Sequence, residues 1–275
     1  MKVLRKIINK LTWYMDEFFW IVLRLNSSKF SQTDVSNVTI GITTFMDRYK
    51  SCFKPLLWKV TKLFPDANII VIANGHVRQD SQLNYLNEIE SYCKEYKNVE
   101  LIKYIEPKGL SYIWNRIIER SITKRVLMLN DDIKIKVAFR KFLVNSGILE
   151  EKIAVINKSW SNFIIHQELF NIIGPFDEGL KEIGGEDDDY AARITLLNHK
   201  ISYYKTKTIG GKLKEKKRKL TTNSYGKNMK KEAFGYSTFN TEYMKGKWIS
   251  SDQKFEGSVE VENRSPRYWK LKKTT

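Results

Sequence analysis

The sequence predicts an α/β fold: a mostly parallel sheet with helices on both faces. Three observations carry this. Short β-rich runs alternate with stretches of helical periodicity from residue 38 to residue 156, the pattern of repeated strand–helix units. Several runs are almost wholly apolar, as strands covered on both faces are. Turn residues follow some runs directly, as in Asn74-Gly75 and Asn130-Asp131-Asp132, so the strand ends are well marked.

The elements follow in order. Residues 1–25 mix Lys2, Arg5, Lys6 and Lys10 with Leu4, Ile7, Leu11, Trp13, Phe18, Phe19 and Trp20. Asp16 and Glu17 interrupt the apolar part and no small-residue cleavage site follows, so a signal peptide fits poorly. No run reaches the roughly 18–20 apolar residues of a membrane span. An amphipathic helix is expected, and two settings suit it: an anionic membrane surface, or the apolar side of this protein's own core or of a second copy. Residues 26–37 are polar and turn-rich, a linker. Strands are expected at residues 38–44, 68–73, 99–105, 125–129 and 153–156, and helices at 48–64, 80–96, 110–121 and 137–149. Residues 163–178 read as strand, short helix and turn, and 187–198 as a helix. Residues 205–231 are lysine-dense and cannot bury themselves, so they form a solvated or ligand-ordered loop. The aromatic-rich stretch 234–269 is expected to pack back on the domain or to contribute to an acceptor site. Three parts result: an N-terminal helix and linker (1–37), an α/β core (38–204), and a basic loop with C-terminal extension (205–275).

The chain has 275 residues, 42% hydrophobic and 13% aromatic, enough for a sizeable core. Its formal net charge of +17 favours an anionic partner: nucleic acid, an acidic membrane surface or a phosphorylated substrate. Cys52 and Cys93 are the only cysteines. They match no metal spacing and no secreted disulfide framework, so a reducing, cytoplasmic setting is the default. No Gly-x-Gly-x-x-Gly or P-loop pattern occurs, which leaves dinucleotide and P-loop folds unsupported.

In open α/β sheets ligands bind beyond the carboxyl ends of the strands. Chemistry is therefore expected at Thr43, Thr44 and Asp47, at Asn74 and Gly75, at residues 106–109, and at Asn130, Asp131 and Asp132. Strand-end carboxylates can hold a divalent cation through hard oxygens, although a turn bonded to its own backbone explains the triplet equally well. The second acidic site is Gly184-Gly185-Glu186-Asp187-Asp188-Asp189. Its bland reading is an acidic helix start on the surface. Asp189 and Arg193 are i,i+4 neighbours able to pair, and one of the other carboxylates could serve as general base on an incoming hydroxyl.

Five segments in order resemble a GT-A nucleotide-sugar glycosyltransferase, most of all glycosyltransferase family 2. They are Ile42-Thr-Thr-Phe-Met-Asp-Arg48, Ala73-Asn74-Gly75, Gly109-Leu-Ser-Tyr-Ile-Trp-Asn115, Asn130-Asp131-Asp132, and residues 170–178 followed by Glu186-Asp-Asp-Asp189. The last stretch is also similar to the acceptor-site motif of the β-1,4-galactosyltransferases. The resemblance covers residues 38–202. It implies that Thr43, Thr44, Asp47 and Asn74 line a nucleoside pocket. Lys108, Gly109 and Ser111 would lie near the diphosphate or donor sugar, with Asn130 and Asp131 also on the donor. Asp132, with Asp131, would approach Mn²⁺ or Mg²⁺; Asp187 would be the catalytic base and Glu186 a contact to sugar. The implied activity is inverting transfer of a hexose-type sugar from a UDP-sugar to a glycan or lipid-linked hydroxyl, in assembly of a bacterial lipopolysaccharide or capsule. The protein would sit peripherally on the inner face of the membrane. Two departures stand out. Asn130 replaces the family's first acid, and no histidine lies in residues 205–231, where many relatives carry a third metal ligand. An inactive scaffold of the same fold is the alternative. A nucleic-acid-binding module is disfavoured, because clustered carboxylates repel phosphates.

Overall fold

The computed structural model describes residues 35–182, 184–210, 238–250 and 269–271, with helical backbone at residues 11, 14–16, 18–20 and 22. The remainder of the lysine-dense loop and most of the tail lie outside the described residues. So do residues 26–34 of the expected linker; Val35, just beyond them, is buried in the core.

The chain runs β1 (Val38–Thr44), α1 (Lys54–Leu63), β2 (Asn68–Ala73), α2 (Gln79–Cys93), β3 (Val99–Lys103), α3 (Leu110–Arg120), β4 (Arg125–Asn130), β5 (Lys134–Ile135) and α4 (Phe139–Asn145). It continues through β6 (Ile153–Ile156), β7 (Asn162–His166), α5 (Gln167–Ile173), α6 (Glu186–Leu196), β8 (Ser202–Tyr204) and β9 (Ile209–Gly210). The described C-terminal elements are α7 (Thr238–Lys247), β10 (Trp248–Ser250) and β11 (Trp269–Leu271). Seven strands form one sheet in the order β3-β2-β1-β4-β7-β6-β8. All neighbours are parallel except β7, which runs antiparallel to both β4 and β6. Small antiparallel pairs join β5 to β9 and β10 to β11.

Strand parity explains the apolar runs. Leu127 and Leu129 of β4 face one core with Ile40, Ile42 and Phe53, while Val126 and Met128 face another with Ile117, Phe163 and Tyr190. A strand between two cores needs apolar side chains at every position. Gly41 faces the second core, where an added Cβ would lie 2.4 Å from Ile117 of α3; its lack of a side chain lets that helix approach the sheet.

The helix expected from residue 48 starts late. A short 3₁₀ turn at Met46–Arg48 and a π turn at Tyr49–Phe53 precede α1. The helix expected at residues 137–149 is likewise shorter, and a 3₁₀ turn at Ile148–Glu150 follows Gly147. The N-terminal helical residues meet the body of the protein. Trp20 is buried against Trp58 at 5.7 Å, and an Asp16 Oδ1 accepts the Val137 amide at 3.2 Å. Leu11, Tyr14, Met15, Phe18 and Phe19 remain exposed. Among the described residues no helix is long and apolar enough to cross a membrane.

Candidate functional site

At the end of β4 two acids sit side by side with unlike surroundings. Asp131 is buried; its Oδ2 accepts the Thr44 hydroxyl at 2.8 Å and its Oδ1 accepts Arg48 Nη1 at 2.9 Å. The same guanidinium lies 3.6 Å from Asp132 Oδ2 and over the Phe45 ring. Burial works against the Arg48 charge, but the Asp131 and Asp132 carboxylates outweigh it and raise its pKa. Thr44 and Arg48 thus each hold one oxygen of the carboxylate expected to approach a metal. The hydroxyl of Thr44, expected in a nucleoside pocket, is turned to Asp131. Asp132, 14% exposed at its side chain, is the acid of the pair that reaches the surface. Asn130, half-buried, is held through its amide on the Ser161 carbonyl at 2.9 Å. Among the described residues no group of three or more His, Cys, Asp or Glu could hold a metal. With a guanidinium already beside both acids, this donor set does not by itself fit one.

The end of β2 is a staple. The Asn74 Oδ1 accepts the amides of Gly75 and Lys108, each at 2.9 Å, and its Nδ2 donates to the Lys108 carbonyl at 3.0 Å. A buried side chain with both ends on backbone ties the turn after β2 to the loop after β3, a structural task that the nucleoside expectation did not foresee. Gly75 makes that crossing possible: an added Cβ would stand 2.0 Å from the Glu106 carbonyl. Asp47 pairs with Arg78 and lies 3.9 Å from Nε2 of buried His76. Thr43, half-buried, sits in register between Ile72 and Asn130, at the centre of the sheet's carboxyl edge.

The loop after β3 then meets the loop that carries the acidic run. Lys108 Nζ lies 3.7 Å from the Glu106 carboxylate. Gly109 caps α3, and a Cβ there would stand 2.8 Å from the Leu180 carbonyl and 3.0 Å from that of Lys181. Ser111 is buried in the first turn, with its hydroxyl bonded to no protein atom. Asn115, one helical turn on, accepts the Phe176 amide at 2.8 Å and donates to the Phe176 carbonyl and to Glu178, each at 2.9 Å. Two sequence motifs 61 residues apart are thereby clasped together.

Gly184 and Gly185 take φ of +88° and +94°, a turn that side-chain-bearing residues rarely adopt. Four acids then fill the first turn of α6, where the helix dipole favours negative charge. Their environments separate them. Glu186 is 4% exposed, and its Oε1 accepts the Gly184 amide at 3.1 Å. Burial, reinforced by the adjacent Asp187 carboxylate, pushes its pKa up to about 8. Asp189 is buried with full compensation: Arg193 Nε at 3.0 Å, Trp248 Nε1 at 2.8 Å and Lys247 Nζ at 2.6 Å. The expected Asp189–Arg193 pair is present. Asp187 and Asp188 are half-buried.

Two residues at this site went unseen in the sequence. Tyr203, on edge strand β8, is 55% exposed, and its phenol pKa is raised by burial and then by Asp187 and Asp188. Strand parity offered a signal: Tyr204 turns to Phe142 and the first core, so Tyr203 must face the side of α6. Trp248 carried no signal, because nothing in its spacing points to residue 189.

No family model and no curated protein matches the chain. Solved structures do. GalNAc-T7, solved with UDP, GalNAc and Mn²⁺, aligns at a TM-score of 0.54 with 14% identity, over 76% of this chain and 47% of its own. TarS 1–349 from S. aureus aligns at 0.49 with 17% identity, over 63% and 59% of the two chains. Mannosyltransferase PcManGT from Pyrobaculum calidifontis, solved with GDP-Man and Mn²⁺, aligns at 0.48 with 12% identity, over 72% and 64%. The chain thus spans about half the length of the first of these and less than two thirds of the other two. The sheet order, the ligand-side edge and the likeness to GalNAc-T7 converge on one conclusion: this chain has the GT-A fold of nucleotide-sugar glycosyltransferases.

Proposed function

We propose that this protein is an inverting glycosyltransferase that moves a hexose-type sugar from a UDP-sugar to a hydroxyl of a glycan or lipid-linked acceptor. The observation that carries the reading is the contrast between Glu186 and Asp187. Two adjacent carboxyls occupy one helix start, and burial keeps the proton on the first near neutral pH. A carboxyl kept neutral by burial beside a half-buried one can divide acid–base labour with it. Glu186 then donates a hydrogen bond to a sugar oxygen, while Asp187 accepts a proton.

The step balances simply. Asp187 takes the proton of the acceptor hydroxyl. The oxygen attacks the anomeric carbon from the face opposite the nucleotide, and the bond from that carbon to the diphosphate oxygen breaks, so UDP leaves with the electron pair. Holding both reactants at one strand edge supplies much of the rate. Lys108 and the lysines of residues 205–231 supply positive charge for the departing diphosphate. Asp132 is the acid best exposed to a divalent cation that such a donor brings, and no step here depends on it. Tyr203 offers an exposed ring beside the acids for the acceptor sugar. The docking of residues 106–109 against residues 180–181 supports the reading, because it brings the expected donor loop and the acidic run to one place.

The setting we propose is the inner face of a bacterial membrane, in assembly of a surface polysaccharide. Trp20 turns inward while Leu11, Met15, Phe18 and Phe19 are exposed, and Lys2, Arg5, Lys6 and Lys10 precede them in sequence. Apolar side chains with neighbouring cations suit anionic lipid. Flotation with anionic liposomes is expected for the full chain and not for one with Leu11, Phe18 and Phe19 changed to Ser; equal flotation of both would refute the surface.

The test of the chemistry is Asp187→Asn. It should lower kcat by about a thousandfold, within the range of a lost general base, while UDP-sugar binding by calorimetry stays within about twofold. Transfer at the wild-type rate would remove Asp187 from the role of base.

A further inference from the structure

We infer that the C-terminal segment formed by α7 and Trp248 is a latch that positions the acidic loop for transfer. Its functional meaning rests on the reading above; its structural claim does not.

The latch grips residues 177–189 at three places. In the middle, the Asn240 amide reads backbone on both sides of residue 183: its Oδ1 accepts the Glu182 amide at 3.2 Å and its Nδ2 donates to the Gly184 carbonyl at 2.8 Å. Asn240 is 0% exposed. Before the loop, Asp177 accepts Tyr243 Oη at 3.0 Å and Lys247 Nζ at 2.5 Å. After it, Asp189 accepts Lys247 Nζ and Trp248 Nε1. Lys247 therefore bridges the two ends of the loop with one ammonium group. Below these polar ties, Met244 and Trp248 pack with Leu180 and Ala192 in a small apolar cluster of their own.

Gly179 is shaped to this arrangement. An added Cβ there would stand 2.3 Å from the Tyr243 hydroxyl. The loop held this way contains both glycines at positive φ, whose backbone is otherwise the least restrained in the region. Buried hydrogen bonds from a separate element restrict that freedom and keep Glu186 and Asp187 in one geometry. Among the described residues, the ends of β1, β2 and β4 share no hydrogen bond or ion pair with α7 or Trp248, and the loop after β3 meets the held segment at Gly109, against the Leu180 and Lys181 carbonyls. Loosening the latch should therefore lower turnover and spare donor binding.

The experiment uses the full chain with Trp248→Phe, which keeps an aromatic ring in the cluster and removes only the indole donor, and Asn240→Asp, which keeps the acceptor for Glu182 and loses the donor to Gly184. Amide hydrogen exchange is read by mass spectrometry on the peptide spanning residues 182–190. The expected result is exchange at least about tenfold faster there and unchanged in β1, β2 and β4. Nucleotide-sugar turnover is read in parallel, with kcat lower by about ten- to a hundredfold and donor KM within about twofold. Gly179→Ala should reproduce both effects by displacing Tyr243. Unchanged exchange at residues 182–190 in both hydrogen-bond variants would overturn the latch, and faster exchange with unchanged kcat would overturn its positioning role. Should the wild-type chain turn over no nucleotide-sugar, the exchange result still decides the latch, and only the proposed function fails.

Discussion

Two acidic clusters, one after β4 and one opening α6, each bury a carboxyl and raise its pKa, but they surround it with different partners. At the end of β4, buried Asp131 is met by a guanidinium and a hydroxyl. At the start of α6, buried Glu186 is met by a backbone amide and a neighbouring carboxylate, and its pKa rises to about 8. Asp189, three residues on, is as buried as Asp131 and is compensated as Asp131 is, by Arg193, Lys247 and Trp248. Burial raises the pKa of both Asp131 and Glu186; at Asp131 the Arg48 charge opposes the rise, and at Glu186 the Asp187 carboxylate adds to it. Among the described residues no cation lies close to Glu186. Sites of this kind are where acid–base function concentrates.

The largest effect expected from breaking this contrast is at Arg48. Arg48→Met removes the cation and leaves Asp131 buried beside Asp132. Loss of one partner of a buried pair costs about 3–5 kcal/mol, so urea unfolding should show a drop of that order. The double variant Arg48→Met with Asp131→Leu should recover a large part of it. A single variant as stable as the parent would mean that the Asp131 carboxylate does not depend on Arg48.

Next comes Glu186→Gln, read as stability against pH. The ordinary glutamate value is 4.5 and the folded value is about 8, so between these pH values the unfolded chain has released a proton that the folded chain retains. Folding then binds protons, and stability falls as pH rises from about 4.5 to about 8, levelling above that. Asp187, Asp188 and Tyr203 face the same site and shape the curve. The glutamine variant lacks this fall, and its advantage over the parent at pH 8 should be on the order of 2–4 kcal/mol. Parallel stability–pH curves for the two proteins would show that Glu186 titrates normally.

The smallest effect tests the junction between the clusters. Gly109→Ala places a Cβ against the Leu180 and Lys181 carbonyls, and a shift of a few tenths of an ångström should cost about 1–2 kcal/mol and lower kcat more than it changes UDP affinity. Thermal melts with and without UDP measure both. An unaltered kcat would uncouple the two loops.

The sequence showed the alternation, the strand ends and the acidic runs. Asn74, Asn115 and Gly75 stood out as motif residues, but their tasks were invisible there. Each joins backbone segments distant along the chain, and a hydrogen bond to a carbonyl or amide leaves no trace in the identity of its partner. Asp131 and Asp132 looked alike as neighbours; the turn after β4 buries one with Arg48 and leaves the other partly exposed. The aromatic tail was legible as material for packing, and its destination was not.

By itself, then, the sequence determined the class of fold, through periodicity that any strand covered on both faces must show, and the places where charge would gather. Tertiary structure decided what surrounds each of those charges. A carboxyl's state depends on burial and on the groups within a few ångströms of it, and those groups come from residues 48, 193, 247 and 248, which the fold alone brings to the edge of one sheet.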